Sequence, residues 1–280
     1  TGVNVRQLLA EGRQTLADTD VPALEAELLL GHVLGRERAW FYANPEFMVA
    51  GANATSYRAL LQRRRDGEPV AYLTGVREFW SMDLRVTPDV LIPRPETELL
   101  VETALERIPT NETCRIADLG TGSGAVALAI AAERPACEVH ATELSAAALA
   151  VAQANAERLL PGRIVFHRGS WCEPLEGAFH LIVSNPPYVE RDDPHLSRGD
   201  CRFEPRGALT PGDDGLAAIR VIADQAVRVL KPGGWLAFEH GFDQGAAARA
   251  VLGKLGFEAV ETRPDLAGVE RVTSGRRPAG

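Results

Sequence analysis

At 280 residues the chain exceeds the ~100–200 of a typical domain, which points to two domains or to one large domain with an appendage. Hydrophobic residues at 45% and charged residues at 24%, with 18 Pro and 26 Gly, match an ordinary folded chain and exclude fibre or wholesale disorder. Thirty Lys and Arg against 38 Asp and Glu leave a formal charge of -8, so no clustered cationic surface is indicated and direct nucleic-acid binding is not expected.

From Asn4 to about Thr74 apolar residues recur at helical spacing, with breakers at Asp20, Gly35, Asn44, Gly51 and Gly67. Five short helices are expected, with Asn4, Asp20 and Thr55 as N-caps, Pro22 in a first turn and Gly35 at a stop. REFWSMDLRV then reads as a hairpin or extended connector between Val76 and Val86. After Pro88 short β-rich runs alternate with Ala-rich helical stretches: strands at 114–120, 138–143, 163–169, 181–188 and 235–241, helices at 122–133, 145–159, 215–230 and 244–255, and two closing strands, FEAVETR and VERVTSGR. The expected fold is therefore α/β, a doubly wound, mostly parallel Rossmann-like sheet behind a small helical domain, with ligands at the carboxyl ends of the strands. The expected boundaries are 1–75 for the helical domain, 76–87 for the hairpin linker and 88–280 for the sheet domain.

ADLGTGSGAVALAIA sets Gly120, Thr121, Gly122, Ser123 and Gly124 where a strand turns into a helix, and Glu143 ends the next strand about twenty residues on. Glycines let the backbone approach a ligand, and a carboxylate there can accept both hydroxyl protons of a ribose. The chemistry is adenosine recognition; the loop alone does not separate a nicotinamide dinucleotide from S-adenosylmethionine.

LIVSNPPY ends the fourth strand of the series and projects Asn185, Pro186, Pro187 and Tyr188 at the same edge. Two successive prolines restrict the backbone and supply no N–H. A planar NH2 group can then donate one hydrogen to the Asn185 side-chain oxygen and the other to the Pro186 carbonyl, which aims its nitrogen at an electrophilic methyl group. Tyr188 is expected to pack on the flat face of the substrate group.

Other residues carry weaker signals. Arg94 and Glu96 in IPRPETE suit either a substrate wall or a rigid helix start, and Glu204 and Pro205 either a lid or an exposed acidic loop. Glu239 and His240 end a strand at the same edge and read as hydrogen-bonded structural residues with no assigned chemistry. The run Arg63–Arg65 reads as a solvated helix end. Six histidines without ligand spacing argue against a metal, and four widely spaced cysteines argue against a disulfide framework. No run approaches the ~20 apolar residues of a membrane helix, and the opening TGVNVRQLLAEG lacks a signal-peptide pattern. A reducing cytoplasm is the expected compartment.

The DLGTGSG loop with Glu143 resembles that of class I S-adenosylmethionine-dependent methyltransferases, and Asn-Pro-Pro-Tyr is similar to the tetrad of enzymes that methylate planar nitrogens. PRPETE, EPRGAL, DDGL, LKPGGWLAFEHG and VTSGR, behind a helical N-terminal domain, resemble the peptide chain release factor glutamine methyltransferase family. That resemblance spans essentially the whole chain. It implies methyl transfer from S-adenosylmethionine, leaving S-adenosylhomocysteine, to the Gln of the Gly-Gly-Gln motif in class 1 release factors. It also implies that residues 120–124 line the methionine and ribose, Glu143 the ribose hydroxyls and Trp171 the adenine. Asn185, Pro186, Pro187 and Tyr188 then hold the glutamine amide, with Asn185 also bordering the cofactor, and the N-terminal helices recognise the substrate. Methylation of adenine in DNA is a rival that the net charge opposes. Nicotinamide-dependent oxidation lacks a Tyr-x-x-x-Lys relay, and the intact tetrad argues against a non-catalytic adenosine-binding module.

Overall fold

The computed structural model describes residues 2–211 and 214–279; Asp213 of the DDGL run lies outside the described residues. Two compact units emerge, Thr1–Val76 with Arg198–Phe203, and Arg77–Ser197 with Glu204–Gly280. The short segment 198–203, expected within the sheet domain, therefore clusters with the helices.

The first unit runs β1 (Val3–Asn4), α1 (Val5–Thr15), α2 (Pro22–Leu34), α3 (Arg38–Ala43), β2 (Met48–Val49), α4 (Gly51–Arg65) and α5 (Val70–Thr74). Asn4 makes a capping box: its side chain accepts from the Gln7 N–H at 2.9 Å, and Gln7 Oε1 accepts from the Asn4 N–H at 3.0 Å. Pro22 opens α2, and Gly35 ends it in left-handed backbone. Two expected caps are displaced. Val21 rather than Asp20 precedes α2, and α4 already starts at Gly51, which leaves Thr55 inside the helix with its hydroxyl bonded back to the Gly51 carbonyl. The core gathers Leu8, Leu29, Leu30, Phe41, Tyr57 and Leu61. Arg64 departs from the solvated helix end: its guanidinium meets Glu25 at 3.1 Å and Asp200 at 3.3 Å, which ties the 198–203 segment to the helices.

The second unit opens with a hairpin, β3 (Val76–Phe79) and β4 (Met82–Arg85), turned by Trp80 and Ser81, both at positive φ. It continues through α6 (Glu98–Arg107), β5 (Arg115–Leu119), α7 (Ala125–Glu133), β6 (Glu138–Glu143), α8 (Ala146–Leu159), β7 (Ile164–Arg168) and β8 (Phe179–Ser184). The chain then forms α9 (Arg206–Leu209), α10 (Ala217–Val229), β9 (Leu230–Glu239), α11 (Gly245–Lys254), β10 (Glu258–Pro264) and β11 (Glu270–Arg276). The seven-stranded sheet has the order β10-β11-β9-β8-β5-β6-β7. Its five middle and right-hand strands are parallel, and β11 and β10 close one edge antiparallel.

Alternation along the strands divides the core into two layers. Ile116, Val139, Leu181, Val183 and Ala237 join the layer of α6 and α7, while Ala117, Leu119, Ile182, Leu236 and Phe238 join that of α10 and α11. The strand order reverses between β5 and β8, where a crevice must open because successive crossovers leave to opposite faces.

Register then brings distant residues together. Leu119 pairs with Thr142 on one side and Ser184 on the other, and Ser184 pairs with Phe238. The next residues, Gly120, Glu143, Asn185 and Glu239, consequently form one transverse row at the carboxyl edge of the sheet, at the mouth of that crevice. The buried Ser184 hydroxyl, donating to the Leu119 carbonyl at 2.8 Å, fastens the row at its centre.

Ile116 is fully buried at the middle of this sheet, so Ile116→Ala should lower the unfolding free energy by about 2–5 kcal/mol. Asn4→Ala, which removes only a helix cap, should cost about 1 kcal/mol. Urea denaturation of both variants checks the ranking, and equal losses would contradict this account of the core.

Candidate active site

A cavity of about 470 Å³ opens at the carboxyl edge. Its floor comes from Gly120, Thr121, Gly122 and Ser123; one wall comes from Glu143, Leu144, Ser145 and Trp171, and the opposite one from Val90, Leu91, Pro93, Thr97, Asn185 and Pro187. Pro205, Gly207 and Ala208 border it from a loop that is distant in sequence. Gly124 caps the start of α7 and is not among the lining residues.

Glu143 holds the glycine loop in shape. One carboxylate oxygen accepts from the Gly122 N–H at 3.0 Å and the other from the Ser145 N–H at 3.0 Å. Each oxygen keeps a lone pair for a hydroxyl in the cavity, so the pattern fits a vicinal diol. Gly120 sits at φ 67° with the Trp171 ring about where a side chain would begin: a Cβ would lie 3.0 Å from Trp171 Cζ3. At Gly122, φ 56°, a Cβ would meet nothing within 4 Å, so that backbone is open to a ligand. Trp171 itself is held at φ 44°, a left-handed conformation that a bulky residue adopts only under constraint from its surroundings.

Asp118 lies beneath the loop, buried, and accepts from the Thr121 hydroxyl at 2.6 Å and the Ala127 N–H at 3.2 Å. Burial outweighs these bonds and pushes its carboxyl up to about 6.

On the tetrad side, the Asn185 side-chain NH2 donates to Thr97 Oγ1 at 3.2 Å, and the Thr97 hydroxyl donates to Glu239 Oε2 at 2.7 Å. The Tyr188 hydroxyl donates to the other oxygen, Glu239 Oε1, at 3.0 Å. Glu239 is therefore a fully buried carboxylate with a donor on each oxygen; burial raises its pKa, and the same carboxylate with desolvation keeps the Tyr188 phenol protonated far above its usual range. Asn185 and Pro187 line the cavity, whereas Pro186, which is buried, and Tyr188 are not among the lining residues. The Tyr188 hydroxyl is committed to Glu239, which fixes the position of the ring.

Glu204 is buried rather than part of an exposed acidic loop. Its oxygens accept from the Ile92 N–H at 2.8 Å and from the Arg94 guanidinium, so the 205–208 wall is clasped to the 92–94 segment. Arg94 thus acts on the wall and not as the wall. His240 donates or accepts with Thr273 at 2.8 Å, away from the cavity lining.

Asp118, Thr97, Leu144 and Ser145 border or support the site without a motif that marks them, and Glu239 gains its role only from its partners. An acidic residue inside an otherwise apolar strand run, as in RIADLG, was the available signal for Asp118. Thr97 had none, because its partners are 88 and 142 residues away.

The raised pKa of Asp118 has a signed consequence. Its folded value, about 6, exceeds the ordinary aspartate value of 3.8, so its protonation stabilises the fold below pH 4 and that contribution is lost as pH rises through 6. Relative to Asp118→Asn, wild type should gain about 2 kcal/mol between pH 7.5 and 4.5. Chemical denaturation at the two pH values measures this, and an unchanged difference would mean that Asp118 titrates like an exposed aspartate.

Family models described as the PrmC N-terminal domain and the methyltransferase small domain match residues 7–75 and 95–198. A release factor glutamine methyltransferase from Bordetella pertussis is 53% identical, covering 94% of this chain and 98% of its own length. Those from Salmonella typhimurium and Escherichia coli are 50% and 48% identical, each over 96% of this chain and 97% of their own. Among solved structures, a methyltransferase from Pyrococcus furiosus superimposes with a TM-score of 0.53 at 19% identity, covering 80% of this chain and 99% of that one, a likeness of fold. Identity at this level from end to end, carried by a chain that brings a glycine loop and an Asn-Pro-Pro-Tyr tetrad to one cavity, means that the protein belongs to the release factor glutamine methyltransferase family.

Proposed function

We propose that the protein transfers a methyl group from S-adenosylmethionine to the side-chain nitrogen of the Gln in the Gly-Gly-Gln motif of class 1 release factors, leaving S-adenosylhomocysteine. The observation that carries this reading is the transverse row: Glu143, suited to a ribose diol, and Asn185, suited to an amide NH2, border one cavity. Bound S-adenosylmethionine supplies a methyl group made electrophilic by its sulfonium. The chain's own residues do the rest. Gly120, Thr121, Gly122 and Ser123 leave room beside their backbone, Glu143 would accept hydrogen bonds from the ribose hydroxyls, and Trp171 and Leu144 would hold the adenine.

An amide nitrogen is a poor nucleophile because its lone pair is delocalised. Asn185 Oδ1 and the Pro186 carbonyl would accept hydrogen bonds from its two N–H groups, which orients the nitrogen and favours positive charge developing there; as the N–CH3 bond forms the S–CH3 bond breaks, and the nitrogen then releases one proton to solvent. Orientation of this kind is worth up to ~7–11 kcal/mol. No side chain is assigned as a dedicated base. A release factor substrate places the reaction in the cytoplasm, and among the described residues no helix is long and apolar enough to cross a membrane.

Mass spectrometry of a release factor incubated with labelled S-adenosylmethionine tests the reaction directly, with one labelled methyl expected on the motif glutamine and its absence refuting the assignment. Asn185→Ala should lower turnover by roughly 100-fold or more while cofactor affinity by calorimetry stays within about tenfold. Glu143→Ala should weaken that affinity by about 1.5–3 kcal/mol.

One pocket built around an NH2 group discriminates poorly among glutamines, so specificity must come from contacts remote from the tetrad. The helical unit is assigned that role. A chain starting at Arg77 and shown to be folded by circular dichroism should lose most of its kcat/KM on intact release factor but much less on a short Gly-Gly-Gln peptide. Equal losses on both would limit the helices to supporting the sheet unit.

A further inference from the structure

The amide of Asn185 has two ends of opposite character, and only one serves the proposed reaction. If Oδ1 faces the cavity, it accepts from the substrate NH2. If Nδ2 faces it, two donors meet and the substrate nitrogen is repelled from its reactive position. Something must choose the end, and backbone restraint by the following prolines cannot, because rotating the amide by half a turn leaves its shape unchanged.

The hydrogen-bond chain behind Asn185 makes the choice. Above its raised pKa Glu239 is a carboxylate with no proton to give, so the Thr97 hydroxyl at 2.7 Å must donate to it. With its single proton committed, Thr97 Oγ1 can only accept from Asn185, 3.2 Å away. Asn185 must therefore turn Nδ2 toward Thr97, and Oδ1 is left for a donor in the cavity. Tyr188 secures the other end, since its hydroxyl occupies Glu239 Oε1 at 3.0 Å and holds the carboxylate in place. Glu239 and Thr97 are both nearly inaccessible, at 1% and 3% exposure, so bulk water does not compete for these bonds.

We infer that Thr97 and Glu239 are positioning residues that set the polarity of the Asn185 amide, presenting its oxygen to the substrate nitrogen. The inference rests on the reading of Asn185 given above. It assigns a role to the end of β9 and to the Pro95–Thr97 turn, which Glu239 and Thr97 join.

The test compares Thr97→Val, which keeps the shape and removes the hydroxyl, with Thr97→Ser, which keeps the hydroxyl, in wild-type and Asn185→Ala backgrounds. The readouts are kcat/KM on release factor, S-adenosylmethionine affinity and melting temperature. Thr97→Val should lose about tenfold in kcat/KM, one hydrogen bond's worth, at unchanged cofactor affinity, while Thr97→Ser stays within about threefold of wild type. In the Asn185→Ala background Thr97→Val should cost less than about threefold, because no amide remains to be oriented. Near-wild-type activity of Thr97→Val, an equal loss in both backgrounds, or a Thr97→Ser variant as poor as Thr97→Val would each overturn the inference. If Thr97→Val does not fold, hydrogen exchange of the Asn185 side-chain NH2 in the wild-type protein decides: exchange at least about tenfold slower than that of exposed asparagines supports the bond to Thr97, and equal exchange overturns it. A wild-type enzyme that methylates no release factor would instead refute the function while the exchange measurement still decides on the relay.

Discussion

The structure depends on the parallel pairing of β5, β6, β8 and β9 in one register. Leu119 sits opposite Thr142 and Ser184, and Ser184 opposite Phe238, and each strand is buried on both faces by its own layer of helices. A slip of one residue would carry every apolar side chain to the wrong layer, so packing over the whole sheet enforces the alignment of its ends. Gly120, Glu143, Asn185 and Glu239 inherit that precision. Groups that must act together are thereby held by rigid strands, with only short excursions beyond them.

Three buried carboxylates convert this scaffold into a site. Asp118, Glu204 and Glu239 are each at most 5% exposed, and an ionised carboxylate in such surroundings is costly unless donors surround it. Each has them: Thr121 and Ala127 for Asp118, Ile92 and Arg94 for Glu204, Thr97 and Tyr188 for Glu239. The cost of burial explains why each of these carboxylates has two donors. A missing donor would leave a penalty of several kcal/mol, so the geometry around each carboxylate is rigid. Rigidity is what a reaction limited by orientation requires.

The three networks also divide the labour around the cavity. Asp118 and Glu143 shape the glycine loop from below and from the side, Glu204 clasps the far wall, and Glu239 orders the tetrad. Two of them join segments far apart in the chain: Glu204 bonds residues 110 and 112 positions away, and Glu239 reaches back 142 positions to Thr97, whereas Asp118 bonds only Thr121 and Ala127 nearby. Loop composition alone could not have produced these walls.

The amino-acid sequence determined the elements whose signals are local. Periods of 3.6 and 2 marked the five N-terminal helices and the strand–helix alternation, the Asn4 box and Gly35 marked helix ends, and three glycines after an apolar strand with Glu143 about twenty residues on marked the loop. Asn-Pro-Pro-Tyr was legible because prolines restrict the backbone wherever they stand. Tertiary structure decided what depends on partners remote in the chain. It bound the Tyr188 hydroxyl to Glu239, buried Glu204 under a loop that reads as exposed, and gave Thr97 a place in the site. The physical reason is common to all three. A polar side chain in a sequence carries no mark of whether water or a buried partner will satisfy it, and only the closed sheet, with its register set, brings those partners within hydrogen-bonding distance.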